Sequence, residues 1–163
     1  MTAPTARISG RSGPGAEGCL TFRSPDAADR YALGDHVDCL CAALPAAHLS
    51  GQGTRLILIE DPILLAPHVC RRVCQILADL ITRAIGAAAH CGGMIVVELQ
   101  NAGIEIHGRV ADSGGSALDV KRPARPSVAE QMAMELGGSI DWRLARRGVT
   151  ATFSFPAAVG RLA

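Results

Sequence analysis

One long helical segment, residues 67–90 (PHVCRRVCQILADLITRAIGAAAH), constrains the fold more than any other stretch of the chain. Apolar residues recur in it at three- and four-residue steps, which predicts a helix with one broad buried face. These residues are Val69, Val73, Ile76, Leu77, Leu80, Ile81, Ala84 and Ala88. At about 100° per residue, Asp79, Arg83, Gly86 and His90 form a separate polar stripe within about 60°. We therefore predict that this helix forms the floor of a ligand site.

The composition limits the class of protein. A chain of 163 residues suits one domain with a substantial core. Its 48% hydrophobic and 19% charged residues indicate a globular protein and not a disordered one. The net charge of +1 argues against a nucleic-acid partner. No membrane-length apolar run and no apolar signal region occur, so we expect a cytoplasmic protein that does not contact a membrane.

The six cysteines leave two interpretations open. Free cysteine is most often a core residue, and cytoplasmic cysteines are expected to be thiols. The alternative is metal or redox chemistry, because Cys70 and Cys74 are one helical turn apart and His68 is nearby. Their spacing does not match the paired cysteines of zinc sites, so we predict no metal centre.

The first part of the chain alternates between irregular and regular structure. Residues 1–29 are rich in Gly, Pro and Ser and are predicted to be a flexible tail, with at most a short strand at 20–22. A helix is predicted over Asp26–Leu49, where Pro45 kinks it or ends its main part. Arg55–Glu60 (RLILIE) is predicted to be a short buried strand.

After the long helix, the pattern changes to paired strands. Met94–Gln100 and Ile104–Ala111 surround a tight turn and predict an antiparallel hairpin. A short helix is predicted over Ser127–Leu136. Ser127 and Glu130 have the spacing of a capping box at its start.

A second hairpin is predicted from the alternation in residues 140–144 and 149–155. The folded domain therefore covers residues 30–157, and residues 158–163 form a short C-terminal tail. Helices interleave with strands that tight turns join in pairs. This order predicts an α/β two-layer sandwich, with a mixed, largely antiparallel sheet and about three helices on one face.

Four segments, within a match that spans residues 31–156, resemble the ATP-binding domain of sensor histidine kinases. They are LADLITRAIGAAAH (77–90), VADSGGS (110–116), VAEQMAMELGGSIDW (128–142) and GVTATFSFP (148–156). This domain belongs to the superfamily that includes DNA gyrase, Hsp90 and MutL, and the resemblance implies its Bergerat-type fold. It is similar to the bacterial subfamily whose nucleotide helix carries a glutamate four residues before the key asparagine.

The resemblance implies that the long helix faces the nucleotide. Asp79 takes the position of the catalytic glutamate, and Arg83 takes that of the asparagine that holds Mg²⁺ in the family. Magnesium needs oxygen ligands, and a guanidinium has only donors. Asp79 and Arg83 can instead form an ion pair across one turn, and we favour this interpretation over catalysis.

The resemblance also implies a set of nucleotide-binding residues around the first hairpin. Asp112 corresponds to the aspartate that accepts a hydrogen bond from the adenine amino group. Gly114 matches the first glycine of this motif, while the second is replaced by Ser116, with Gly115 beside it. We include Thr150, in the last strand, among the nucleotide-binding residues together with Arg83.

The segment before the last predicted helix departs from the family. Its glycines are missing, and Lys121, Arg122 and Arg125 offer positive charge for phosphates in their place. They can equally be part of a solvated loop. ATP is therefore the implied cofactor, and Mg²⁺ is not expected to bind as it does in the family.

Two functions follow as hypotheses. The first is a two-component-type signalling protein in which a degenerate, pseudo-ATPase domain acts as a regulatory or binding module. Its partner would be a response regulator, a histidine kinase or a sigma/anti-sigma-type protein. The alternative is an active kinase domain that acts in trans, because we find no room in the chain for the dimerising phosphoacceptor hairpin of a complete kinase. A weaker third hypothesis is phosphotransfer through His36.

Overall fold

The structure, a computed structural model, describes residues 5–8, 30–48, 54–88, 93–114, 127–145 and 148–157. Three helices lie in these ranges: α1 (Leu33–His48), α2 (Pro67–Ala88) and α3 (Val128–Glu135). The strands are β1 (Thr5–Ile8), β2 (Tyr31–Ala32), β3 (Arg55–Glu60), β4 (Leu64–Leu65), β5 (Met94–Asn101), β6 (Glu105–Asp112), β7 (Ser139–Leu144) and β8 (Val149–Pro156). No helix in the described part of the chain is long and apolar enough to cross a membrane.

Six strands form one mixed sheet in the order β1-β3-β5-β6-β8-β7. Only β3 and β5 run parallel, because α2 connects them as a crossover helix. The other neighbouring pairs are antiparallel, including the two predicted hairpins, β5–β6 and β7–β8. The predicted α/β sandwich with a largely antiparallel sheet is confirmed.

The N-terminal half differs in detail from the sequence predictions. Residues 5–8 of the predicted tail form β1, which pairs antiparallel with β3 at the edge of the sheet. The strand predicted at residues 20–22 lies outside the described residues. Helix α1 begins at Leu33, because Tyr31 and Ala32 pair with β4 in a separate two-stranded sheet. The backbone of α1 stays helical past Pro45.

Helix α2 supplies the centre of the core. Ten of its residues are buried, and they include every member of the predicted apolar face. The helix packs on inward-facing aliphatic side chains of the sheet, such as Leu58, Val97 and Val110. Aromatic residues make up only 3% of the chain, and two of them, Phe153 and Phe155, are buried on β8.

Three of the four cysteines in the described ranges agree with the interpretation as structural thiols, and one does not. Cys41, Cys70 and Cys74 are free thiols at the contact of α1 with α2, and burial raises the pKa of Cys41 to about 12. Cys39 is disulfide-bonded, so the expectation of thiols is wrong for this residue. A hydrogen bond with Cys74, together with burial, raises the pKa of Cys70, and the same hydrogen bond lowers the pKa of Cys74. Cys41 and Cys70 are therefore poor nucleophiles at neutral pH.

Alanine substitutions at two glycines should change the free energy of unfolding in opposite directions. A Cβ on Gly108 would overlap the Phe153 ring, so Gly108→Ala should destabilise the fold by about 1–3 kcal/mol. A Cβ on Gly86, inside α2, would meet no atom within 4 Å. Gly86→Ala should therefore stabilise the fold by about 0.5–1 kcal/mol, since glycine is unfavourable inside a helix. Urea unfolding of both variants tests this, and equal shifts would contradict the packing described for β6.

Candidate functional site

A cavity of about 400 Å³ lies between α2, α3 and the ends of β6, β7 and β8. This volume is within the range of small-molecule sites, about 300–1,000 Å³. The walls are mostly aliphatic, with a few charged groups and one indole ring. The lining residues are Leu80, Arg83, Ala84, Ala87, Val110, Asp112, Ser127, Glu130, Ile140, Asp141, Trp142, Leu144, Val149 and Ala151.

Helix α2 contributes a wall at the boundary between its apolar face and its polar stripe. Leu80, Arg83, Ala84 and Ala87 line the cavity, with the i, i+3, i+4, i+7 spacing of one helix face. Of the predicted stripe, only Arg83 is among the lining residues. Asp79 and Gly86 lie beside this wall, and His90 is outside the described residues. The long helix does form part of a cavity. The side of the helix that faces the cavity is rotated from the predicted polar stripe toward the buried residues.

Arg83 and Asp79 form the ion pair that the sequence suggested. The Arg83 Nε atom donates a hydrogen bond to Asp79 Oδ2 at 3.1 Å. The exposed fractions of the two side chains are 42% and 24%, so water screens the pair and its contribution to stability is small. Asp79 is therefore engaged by the neighbouring guanidinium and is not poised as a free base.

Asp112 places a carboxylate at the inner end of the cavity. It is two residues after Val110 on β6, so its side chain is on the same inward face of the sheet. Its Oδ2 accepts a hydrogen bond from the Val149 N–H at 3.0 Å. The other oxygen, Oδ1, is buried and has no hydrogen-bond partner among the described residues. Burial raises the pKa of Asp112, while the backbone N–H groups of Val149, Gly114 and Asp112 itself act in the opposite direction. Asp112 thus offers one unused acceptor.

Gly148 allows the second hairpin to approach this carboxylate closely. Its φ of +86° lies in the left-handed region, and a Cβ there would overlap the backbone oxygen of Asp112. The close approach lets the next residue, Val149, donate its N–H to Asp112. The glycine that follows Arg146-Arg147 in the sequence is therefore a structural requirement of the site.

The N-terminus of α3 holds the opposite wall. Glu130 completes the predicted capping box: its Oε2 accepts from the Ser127 N–H at 2.7 Å, and Ser127 Oγ accepts from the Glu130 N–H at 3.1 Å. Glu130 Oε1 also accepts from the Trp142 indole N–H at 3.1 Å. This fixes the indole as a flat, half-buried wall. Trp142 was not among the predicted site residues, although it is two residues from Ile140 and was therefore expected on the same face of the strand.

The remaining predicted site residues fall into three groups. Gly114, two residues after Asp112, is buried and is not among the lining residues. Thr150 alternates with Val149 and Ala151, so it lies on the opposite face of the sheet from the cavity. The other four are outside the described residues. They are Gly115, Lys121, Arg122 and Arg125.

His36 lies on α1 and is not among the cavity residues. Its Nδ1 is 3.2 Å from the Ala32 carbonyl oxygen, and its ring meets the edge of Tyr31 at a centroid distance of 5.3 Å. The ring is half-buried in these local contacts. Nothing in this arrangement favours phosphotransfer through His36.

The residues present do not fit a magnesium ion. In the described part of the chain, no group of three or more His, Cys, Asp or Glu side chains is arranged to hold a metal. At the position that the resemblance assigns to the magnesium-binding asparagine, Arg83 presents only donors, and Asp79 is paired with it. The unused oxygen of Asp112, in contrast, fits the amino group of a heteroaromatic base.

Solved structures of histidine kinases are similar to this chain. The histidine kinase domain of the Erythrobacter litoralis EL346 blue-light activated kinase has a TM-score of 0.73 at 16% identity, over 85% of this chain and 70% of that one. The catalytic domain of histidine kinase ThkA has a TM-score of 0.60 at 18% identity, over 79% of this chain and 95% of that domain. The chain spans 43% of a longer EL346 chain, with a TM-score of 0.69 at 15% identity over 80% of this chain.

These similarities confirm the predicted histidine-kinase-like fold of the Bergerat type. No family model matches the sequence. No curated protein matches it either. The identities are low, so the similarity shows the fold, and the chemistry of the site depends on the residues described above.

The buried charge of Asp112 should cost stability. Because its folded-state pKa is raised, the ionised form is disfavoured in the fold at neutral pH, and the cost falls as pH drops through that raised pKa. Asp112→Asn keeps an acceptor for the Val149 N–H and should raise the free energy of unfolding at pH 7. Its advantage over the unaltered protein should shrink toward about pH 4.

Urea unfolding at both pH values checks this prediction. Asp141→Asn is the matched control, since it removes an exposed carboxylate at the rim of the same cavity. It should leave stability at pH 7 nearly unchanged. A loss of stability in Asp112→Asn at pH 7 would contradict the proposed cost of the buried charge.

Proposed function

We propose that this protein is a two-component-type signalling module whose histidine-kinase-like domain binds an adenine nucleotide and does not turn it over. One observation carries the proposal. The cavity is lined by Asp112, whose Oδ1 is a buried acceptor without a hydrogen-bond partner among the described residues, and by Arg83, a guanidinium at the position that the resemblance assigns to a Mg²⁺ ligand. The site keeps a means of reading the base and lacks a means of holding the metal.

The base-binding half rests on donor and acceptor matching. A buried acceptor without a partner is costly, and an amino group on a flat apolar ring would satisfy it. Aliphatic walls, including Ala84, Val110 and Ala151, and the fixed indole of Trp142 suit such a ring. We therefore assign Asp112 as the adenine-reading residue, with Arg83 on the phosphate side.

The absence of turnover follows from the chemistry of phosphoryl transfer. That reaction depends on a metal ion that neutralises the phosphate charge, and on an oriented base. In this site Arg83 supplies no metal ligand, and the Asp79 carboxylate is bound to Arg83 at 3.1 Å. The residues that remain support recognition of a nucleotide better than transfer of its terminal phosphoryl group.

We place the module in a cytoplasmic two-component-type pathway, with a response regulator, a histidine kinase or a sigma/anti-sigma-type protein as partner. The support is the fold that it shares with histidine kinases. Binding of a nucleotide would then control the affinity for the partner.

An active kinase that acts in trans is the second candidate. It is favoured by the position of Asp79, which stands one turn before Arg83 and beside the wall that α2 contributes. If Arg83 moved toward a nucleotide, the Asp79 carboxylate would be released and could take a proton from an acceptor hydroxyl. This candidate requires measurable phosphoryl transfer, whereas the binding module does not.

Nucleotide titration separates the two candidates. Trp142 is the single tryptophan of the chain and lines the cavity, so its fluorescence reports occupancy, and calorimetry provides an independent affinity. ATP and ADP should both bind, Mg²⁺ should not strengthen binding, and no phosphate should be released. Asp112→Ala should abolish binding, and Asp141→Asn should retain it. Micromolar binding that depends on Mg²⁺, with turnover, would establish the active kinase instead.

Arg83→Asn should restore an oxygen ligand at the metal position. Asparagine has a carbonyl acceptor, so this variant should bind ATP more tightly with Mg²⁺ than without it. Arg143→Asn is a matched control, because Arg143 is exposed on β7 and is not among the cavity residues. Calorimetry with and without Mg²⁺ makes the comparison. If Mg²⁺ has no effect on Arg83→Asn, the principal defect lies elsewhere in the site.

A further inference from the structure

The Arg83 guanidinium is held in place and is incompletely used. Its Nε donates to Asp79 Oδ2, and the described residues provide no acceptor for the two terminal nitrogens. Each terminal nitrogen carries two N–H groups, and together they form the flat edge that binds an oxyanion with two parallel hydrogen bonds. Because Arg83 lines the cavity, this edge is available to a ligand there.

Asp79 acts as a positioning residue for this edge. An arginine on a helix surface normally loses side-chain entropy when it binds a ligand. Here the contact between Nε and Oδ2 fixes the guanidinium from the side and does not occupy the terminal nitrogens. Part of this loss of side-chain entropy has therefore already occurred in the protein without a ligand.

The surface next to Arg83 has room for a small anion. Ala84 and Ala87 are the adjoining lining residues of α2, and both are small. Gly86 is exposed, and even a Cβ added to it would meet no atom within 4 Å. A tetrahedral oxyanion can approach the guanidinium along this part of the helix without displacing a large side chain.

The other charges around the cavity limit how much anionic charge it accepts. The described lining includes three carboxylates, Asp112, Glu130 and Asp141, against the single guanidinium. Glu130 is engaged by the Ser127 N–H and the Trp142 indole. Among the described lining residues, a second or third phosphate without a metal would meet more negative than positive groups, and like charges repel.

We propose that Arg83 binds the phosphate of an adenine nucleotide directly and without a metal ion, so that the preferred ligand is a mono- or diphosphate and not Mg²⁺–ATP. This inference rests on the proposed function, since Asp112 is taken to read the base. It assigns Arg83 as the phosphate-binding residue and Asp79 as the residue that positions it.

The test compares adenosine, AMP, ADP and ATP in EDTA and in Mg²⁺, by Trp142 fluorescence and calorimetry. In EDTA, AMP and ADP should bind at least about tenfold more tightly than adenosine, as expected for charge-assisted hydrogen bonds. ATP should bind no more tightly than ADP. Mg²⁺ should weaken the binding of ADP or leave it unchanged, because it competes with Arg83 for the phosphates.

Three variants and one control locate the phosphate contact. Arg83→Gln should bind adenosine normally and lose the phosphate gain, whereas Arg83→Lys should keep part of it, because lysine retains the charge without the two-pronged edge. Asp79→Asn should weaken AMP binding less than Arg83→Gln does. Arg143→Gln removes one positive charge outside the cavity and should match the unaltered protein.

The outcomes distinguish failure of this inference from failure of the proposed function. If adenosine binds but Arg83→Gln keeps the full phosphate gain, or if Mg²⁺ is required, the inference is overturned and base reading by Asp112 stands. Binding of ATP in EDTA about tenfold tighter than AMP would also overturn it. If neither adenosine nor any nucleotide binds, the proposed function itself fails.

Discussion

The packing of α2 on the sheet is the interaction on which the rest of the molecule depends. Its ten buried residues are aliphatic side chains and one cysteine, and the helix meets the inward face of β5 and β6. A chain with few aromatic residues must build its core from many such contacts, each of them small. Once this face is fixed, the rotation of the helix is fixed too, and Arg83 is brought to the cavity that contains Asp112.

Asp112, in contrast to the buried residues of α2, is expected to lower the stability of the fold. Its Oδ1 is buried without a partner in the described structure, and burial raises its pKa. Core residues that serve only stability do not normally carry such a cost. Gly148 and the N–H of Val149 are nevertheless arranged around the carboxylate, and the proposed reading of a ligand donor by Asp112 would account for that cost.

Arg83 changes the chemistry of the site with little effect on the fold. A residue with only donors replaces a residue that offers an oxygen, so the same position that would hold a cation is suited to an anion. The exchange is tolerated because Arg83 is exposed and pairs with Asp79 on its own helix. The fold can therefore be retained whichever residue stands at this position, and the similarity to histidine kinases does not settle the activity.

The sequence by itself determined the main helices, the two hairpins and the fold class. The period of α2, the alternation in the two hairpins and the capping box of Ser127 and Glu130 are local patterns, and local patterns follow from backbone geometry. The motif around Asp112 was also visible, because a strand ends there.

Only the tertiary structure decided which side chains share the cavity. The predicted stripe of α2 was close, but packing against the sheet rotated the wall toward Leu80, Ala84 and Ala87. Trp142 entered the site because Glu130, twelve residues earlier in the chain, holds its indole, and β1 joined the sheet through a partner about fifty residues away. Such long-range contacts depend on how separate elements meet, and no local sequence pattern specifies that.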